Sequence, residues 1–247
     1  MFDSALELVV RKLETRVGLS PDDRQAIFAL PHVLRTYSAT DYVIRDGEPP
    51  RQHCDFILDG IAFRQKMTVD GSRQIVSIHF SGDFIDLQHL FLNTADHNVE
   101  ALTSLKVIGI ERTALQQLVL QFPAVARAMW IEALVDSSIY REWVVNVARR
   151  DARARIAHLV CEIWSRVKAA GFLNPQGLKL PLTQVQLADA VGLTTVHVNR
   201  VLQSMRSERL IKDQRHVEPL NMAALAEAGG FDPRYLHLEQ TSSANAS

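Results

Sequence analysis

The period of apolar and polar positions changes twice along this chain, and the changes divide it. Residues 3–17 are spaced as a short amphipathic helix. Pro21 followed by Asp22-Asp23 reads as the acidic first turn of another. From about 32 to 110 the helical period gives way to short apolar runs: Phe56-Ile57-Leu58, Ile61-Ala62-Phe63, Ile75-Val76-Ser77-Ile78 and Val107-Ile108-Gly109-Ile110. Asp46-Gly47, Asp59-Gly60, Asp70-Gly71 and Ser81-Gly82 separate such runs at intervals of 11–13 residues. β-Branched runs between regular turns predict an antiparallel roll or barrel. Asp70-Gly71 between two of them predicts a hairpin.

After Glu111 the period becomes helical and stays so. Pro123 is placed to open a helix. Ile131, Val135, Ile139, Trp143 and Val147 recur every four residues, with Leu134 and Val144 widening the stripe. A helix over 123–148 would run about 39 Å, too long for one small roll to cover. A second copy of the chain is the expected cover, with Ile131, Val135, Ile139 and Trp143 at the interface; the chain's own domains are the alternative. Arg149-Arg150-Asp151 breaks the stripe. A further helix carries Ile156, Leu159, Val160, Ile163, Trp164 and Val167 on one face, and Asn174-Pro175-Gln176-Gly177 ends it. The expected domains are a roll at 1–122, a long helix at 123–149, a helical domain at 150–230 and a tail at 231–247. The polar run from Gln240 is expected to fray.

Composition narrows the function. Hydrophobic residues make up 47% and charged residues 22% of 247, as in an ordinary globular protein. No apolar run is long enough for a membrane helix, and the first residues carry no secretory signal. A cytoplasmic location is therefore expected. Cys54 and Cys161 cannot supply the four ligands of an iron–sulfur cluster. No phosphate loop, metal-ligand spacing or nucleophile–base pair is visible, so no catalytic or metal residue is assigned and an enzyme is not expected.

The formal net charge of −1 hides a split. Residues 1–149 carry 15 basic and 19 acidic side chains, residues 150–216 carry 11 and 5, and residues 217–247 carry 1 and 4. A basic block of net +6 between acidic segments points to a polyanionic partner.

The sharpest motif lies in that block. Thr183 with Gln186 three residues on is a capping box, opening a short helix with Val185, Leu187, Ala188 and Val191. Gly192 permits a tight turn. Thr194-Thr195 then caps a second helix, whose Val198, Val201, Leu202 and Met205 form one buried face. This is a helix-turn-helix pattern. The outward face carries Thr194, Thr195, Val196, His197, Asn199, Arg200 and Gln203. Arg can donate twice to guanine, Asn or Gln can pair with adenine, and Val or Thr methyls can meet a thymine methyl. Thr195 and the free amides at the helix start suit phosphate. Double-stranded DNA is the expected partner. Ile211–Val217 reads as a hairpin around Asp213-Gln214, a wing whose Arg215 and His216 could meet phosphate; a plain surface loop is the alternative.

This order of elements resembles the Crp/Fnr family of bacterial transcription regulators. The resemblance covers about residues 20–220. It rests on Asp46-Gly47-Glu48, Phe56–Gly60, Ser81-Gly82-Asp83-Phe84-Ile85 and Leu90-Phe91 in the roll. In the C-terminal part it rests on Leu187-Ala188-Asp189 through Asn199-Arg200, and on Arg209-Leu210-Ile211. It implies an α+β fold: a cyclic-nucleotide-binding-like β-roll, a long dimerisation helix and a C-terminal winged helix-turn-helix. It implies a homodimer reading a palindrome in successive major grooves ~34 Å apart, with RNA polymerase as a further partner. A ligand-sensing module with DNA binding secondary or lost is the second reading.

The pattern departs from cyclic-AMP-binding members at their phosphate cassette, Gly-Glu-Leu-Gly-Leu-Phe followed by Arg-Ser-Ala. Here Asp86-Leu87-Gln88-His89-Leu90-Phe91 and His97-Asn98-Val99 stand at those positions. The ribose-binding Glu becomes Leu87 and the phosphate-binding Arg becomes His97. Tyr140 and Arg141 replace the Thr-Ser pair that would meet the adenine. Asp86, Leu87, Gln88, His97, Asn98, Tyr140 and Arg141 thus mark an effector pocket that ordinary cyclic AMP does not suit, and the effector itself stays unassigned. His53, His79, His89 and His97 are available to a haem or another metal, but no spacing singles one out. On the recognition helix, Val196 replaces a Glu found in many members, while Arg200 is retained.

Overall fold

The computed structural model describes residues 4–171, 180–213 and 217–238. They fall into two units, one of residues 4–64 and 78–137, the other of residues 65–77 and 138–238 as far as described.

The first unit opens with α1 (Ser4–Glu14), which buries Leu6, Val9, Val10 and Leu13 on one face. Its polar side is anchored too: Lys12 bridges Asp83 and Glu132 at 3.2 Å each, and Arg16 pairs with Glu132. α2 (Pro21–Phe28) starts with Pro and a capping box, in which Asp23 N donates to Ser20 Oγ and Ser20 N donates to Asp23 Oδ2.

Seven strands follow: β1 (His32–Tyr37), β2 (Tyr42–Ile44), β3 (His53–Asp59), β4 (Ile61–Met67), β5 (Arg73–Phe80), β6 (Asn98–Ala101) and β7 (Leu105–Glu111). They form two sheets, ordered β1-β7-β3 and β2-β6-β4-β5. The pairs β1–β7, β3–β7 and β2–β6 are antiparallel. The expected hairpin joins β4 to β5 through Asp70-Gly71, with Asp70 accepting from Ser72. Ile57, Ile85, Val99, Leu105 and Val107 form one buried cluster within the roll, while Phe56 and Ile108, on the opposite face, are buried with Leu6 and Leu13 of α1. Phe56 meets Phe84 edge to face at 4.9 Å. Burying each such side chain stabilises the fold by roughly 1.5–3 kcal/mol.

α3 (Arg112–Gln121) leads into α4 (Pro123–Arg149), and the chain turns by 114° between them. Pro123 drives the preceding Phe122 out of helical geometry, to φ −120 and ψ 89. No single helix among the described residues is long and apolar enough to cross a membrane.

The second unit holds the C-terminal part of α4, then α5 (Ala152–Ala169), with Asp151 capping its N-terminus through the Ala154 amide at 2.9 Å. α6 (Gln184–Val191) and α7 (Thr195–Ser207) come next. β8 (Ile211–Asp213) pairs antiparallel with β9 (Glu218–Pro219). The return strand therefore lies beyond the run expected to form it, because Val217 turns inward at φ 44 and is buried. Arg215 and His216, the expected wing contacts, lie outside the described residues, as do Asn174–Gly177 and the tail from 239 onward. α8 (Met222–Gly229) and a 3-10 turn at Pro233–Leu236 close the unit. Of residues 231–238, read from the sequence as tail, Leu236 is buried and Phe231 and Tyr235 half-buried; these anchors are single residues set among Gly, Pro and Asp, which show no period.

Candidate nucleic-acid interface

The two helices of the motif are built as their caps dictate. Thr183 and Gln186 exchange hydrogen bonds, Thr183 N donating to Gln186 Oε1 at 2.9 Å and Gln186 N to Thr183 Oγ1 at 3.2 Å. α6 ends on Gly192 in the left-handed region, φ 64, where a side chain would be strained. Thr194 then caps α7, accepting from His197 N at 3.3 Å. Leu187, Ala188 and Val191 of α6 and Val198, Leu202 and Met205 of α7 are buried.

The outward face of α7 is open. Thr194, Thr195, Val196, His197, Arg200 and Gln203 are exposed. Among the described residues Arg200 has no ion pair or side-chain hydrogen bond, so its guanidinium is available to a guanine edge. Asn199 is different. It is half-buried, donating to Gln184 Oε1 at 3.0 Å and accepting from Gln203 Nε2 at 2.9 Å. Its amide is committed to Gln184 of α6 and to Gln203 of α7, whose Nε2 is engaged in turn, while Arg200 and Val196 stay exposed on the outer face. Sequence spacing placed Asn199 on the outer face but could not show this internal partner.

On the long helix the expected interface residues turn inward. Val135, Ile139 and Trp143 are 6%, 6% and 7% exposed, and Ile131 is half-buried. Their apolar row is taken up by the chain itself, and the Trp143 indole donates to Glu162. The open apolar row lies alongside: Trp130, Leu134 and Val144 are 70%, 55% and 64% exposed, with Val145 beside them. An α-helix brings 130, 134, 137, 141 and 144 to one side. The four-residue stripe was the stronger signal in the sequence, and it marks the row buried within one chain.

In the roll, the cassette positions form a polar cluster in which Asp86, His89 and His97 are buried. Asp86 is buried; its Oδ1 accepts from Asp55 N at 2.9 Å, while Oδ2 has no hydrogen-bond partner among the described residues. Gln88 Nε2 lies 3.3 Å from His97 Nε2, and His97 Nδ1 lies 2.7 Å from Asp96. His89 stacks on His97 with ring centres 5.9 Å apart, and neither of its ring nitrogens has a hydrogen-bond partner among the described residues. Arg64 donates to the Ile85 carbonyl at 2.6 Å. His89 and Arg64 were absent from the expected pocket; both follow from the β-roll's pairing, which no local spacing reveals. Leu87 packs half-buried against the core, and Asn98 accepts from Asp46 N at 3.0 Å. Tyr140, half-buried, and Arg141, exposed, belong to the other unit.

Burial shapes the charges here. Desolvation, helped by the neighbouring Arg64, lowers His97 to about 4, so it is neutral at physiological pH. Desolvation and the Asp55 carboxylate raise Asp86 to about 7. An unfolded Asp titrates near 4. Relative to the unfolded chain, folding is therefore favoured below about pH 4, and that advantage is lost as pH rises through 7. Asp86→Asn keeps an oxygen for the Asp55 amide but cannot ionise. It is expected to raise stability at pH 8 by on the order of 1–3 kcal/mol, the gain shrinking toward pH 5 in thermal melts. A gain independent of pH would show that Asp86 does not titrate in this range.

Among the described residues no group of three or more His, Cys, Asp or Glu side chains is arranged to hold a metal ion. Both cysteines are buried, and two thiols cannot ligate a four-cysteine cluster.

Comparison with known proteins agrees with this geometry. Residues 34–122 match the cyclic nucleotide-binding domain, and residues 154–228 match the Crp-like helix-turn-helix domain. The chain is 29% identical over 206 residues to the transcriptional activator protein FnrL of Cereibacter sphaeroides, covering 80% of this chain and 81% of that one. Its fold is that of FixK2 from Bradyrhizobium japonicum, with a TM-score of 0.72 at 21% identity, over 81% of this chain and 98% of the other. It is also similar to the c-di-GMP-responsive global regulator CLP of Xanthomonas campestris, with a TM-score of 0.65 at 20% identity, over 81% and 99%. Those two likenesses carry the fold alone. With a cyclic-nucleotide-binding-like roll, a long helix and a Crp-like helix-turn-helix in one chain, the protein belongs to the Crp/Fnr family of DNA-binding transcription regulators, which are not enzymes.

Proposed function

We propose that two copies of this chain associate along the exposed Trp130, Leu134 and Val144 row and read a palindromic DNA site. An open apolar row on a helix of 27 residues supports this, because it would otherwise face water. Two recognition helices in successive major grooves, ~34 Å apart, then select two half-sites. Arg200 reads a guanine. Val196, which cannot accept a hydrogen bond, makes the facing base differ from that read by members with Glu there. RNA polymerase is the partner through which bound dimers act on transcription.

The test is selection from random duplexes with purified protein. An enriched inverted repeat with a guanine at a fixed position in each half supports the reading. No enriched repeat, with affinity set by salt alone, sinks it.

The effector differs from cyclic AMP. Asp86 sits where a phosphate would approach, and the neutral His97 replaces the neutralising Arg. A second reading, a ligand sensor with DNA binding secondary, draws on the His89 ring nitrogens and Asp86 Oδ2, which have no hydrogen-bond partner among the described residues. Thermal-shift screening against nucleotides and metabolites separates the two. A ligand that raises the melting point without altering DNA affinity favours the sensor. Stabilisation by cyclic AMP would overturn the assignment of a different effector.

A further inference from the structure

The second unit contains a buried polar knot that reading DNA bases does not require. Glu162 of α5 is fully buried. The Trp143 indole of α4 donates to both of its carboxylate oxygens, at 3.0 and 3.1 Å. The Tyr235 hydroxyl, from the C-terminal 3-10 turn, donates to Oε2 at 2.7 Å, and Arg166 lies 3.6 Å away. On the other side of Tyr235 is His158 of α5, its Nε2 3.1 Å from the hydroxyl and its Nδ1 3.3 Å from the Gly229 carbonyl. Desolvation lowers His158 to about 4, which leaves a neutral ring. It stacks on Tyr235 and meets Phe231 edge-on at 5.2 Å. Backbones touch here: a Cβ on Gly229 would stand 2.6 Å from His158 N, so only glycine fits. Phe231 and Tyr235 lie past residue 228, where the helix-turn-helix match ends.

The knot spans the joint between α4 and α5, where only Arg150 and Asp151 separate two long helices. The same joint is held by Asn146 donating to the Arg155 carbonyl at 3.2 Å, Arg155 Nε donating to the Arg150 carbonyl at 2.8 Å, and Arg150 donating to Glu142 at 2.5 Å. A buried carboxylate is a poor way to gain stability, since an apolar side chain would do as well or better. What it supplies is direction: donors from two other segments, Trp143 of α4 and Tyr235 of the C-terminal turn, must converge on it. A 10° tilt over the ~27 Å length of α5 would shift its far end by about 5 Å, more than the 3.4 Å rise of a base pair.

We propose that Tyr235, through Glu162 and Trp143, is a positioning residue that locks the α4–α5 angle and thereby sets the spacing between the two half-sites. The proposal rests on the dimeric reading above. Tyr235→Phe keeps the aromatic packing and removes the hydroxyl. Glu162→Gln keeps acceptor and shape.

The experiment measures affinity of the full chain for duplexes whose selected half-sites are separated by the preferred spacer, or by one or two base pairs more or fewer. The wild type favours one spacing. Tyr235→Phe is expected to lower the preference for it over its neighbours by about tenfold, the value of one charge-assisted hydrogen bond, with base preference inside each half unchanged. Glu162→Gln, which can still accept from Trp143 and Tyr235, is expected to retain most of the preference. A wild-type spacing profile in folded Tyr235→Phe overturns the proposal, as does an equal loss at every spacing. If Tyr235→Phe does not fold, Trp143→Phe, which removes the other donor to Glu162, takes its place: a broadened profile there supports the proposal and a wild-type profile overturns it. A wild type that selects no paired half-sites overturns the dimeric reading itself.

Discussion

Glutamate at Trp130 or Leu134 is expected to leave the chain folded, make it monomeric and weaken binding to a two-half-site duplex by about 10²–10⁴-fold. Both side chains are largely exposed in one chain, so a charge there costs that chain little. In a dimer the same charge would be buried without a partner. Affinity then falls because the second half-site is no longer presented at high effective concentration. Light scattering reads the mass, and fluorescence anisotropy reads the affinity. Glutamate at Trp143 is the contrast: that indole is buried beside Glu162, so the substitution is expected to destabilise the folded chain. Retained dimers in Trp130→Glu and Leu134→Glu would place the interface elsewhere.

Arg200→Ala is expected to cost ~1–3 kcal/mol on the preferred site and to relax selection at one base pair of each half. The side chain is exposed and without an ion pair among the described residues, so the free protein should melt as the wild type does. Binding measured on the preferred duplex and on single-base variants separates the possible roles. Loss confined to one position means base reading. Uniform loss across all sequences, with a shallower salt dependence, would mean that Arg200 only touches phosphate.

The helix-turn-helix was legible because its signals are local. Thr183 and Gln186, Gly192, and Thr194 lie within a dozen residues, and each acts on backbone groups next to it. The roll was legible for a similar reason, since alternating runs and turns specify strands before any partner is known. The cap of α5 at Asp151 and the start of α4 at Pro123 belong to the same class.

Other features depend on residues far apart in the chain. Asn199 turns toward Gln184 because two helices pack, not because of its own position on α7. His89 and His97 become neighbours only when the cassette folds back on itself. Glu162 joins segments 19 and 73 residues away. The long helix has two apolar rows, and periodicity alone cannot tell which of them its own chain will cover. By itself the sequence determined most of the elements, their order, the family and the outward face of α7, since backbone preferences and caps act over a few residues. Only the tertiary structure decided which apolar row stays open, which polar groups are committed inside and which titrate abnormally. Those depend on desolvation and on partners that long-range packing alone brings together.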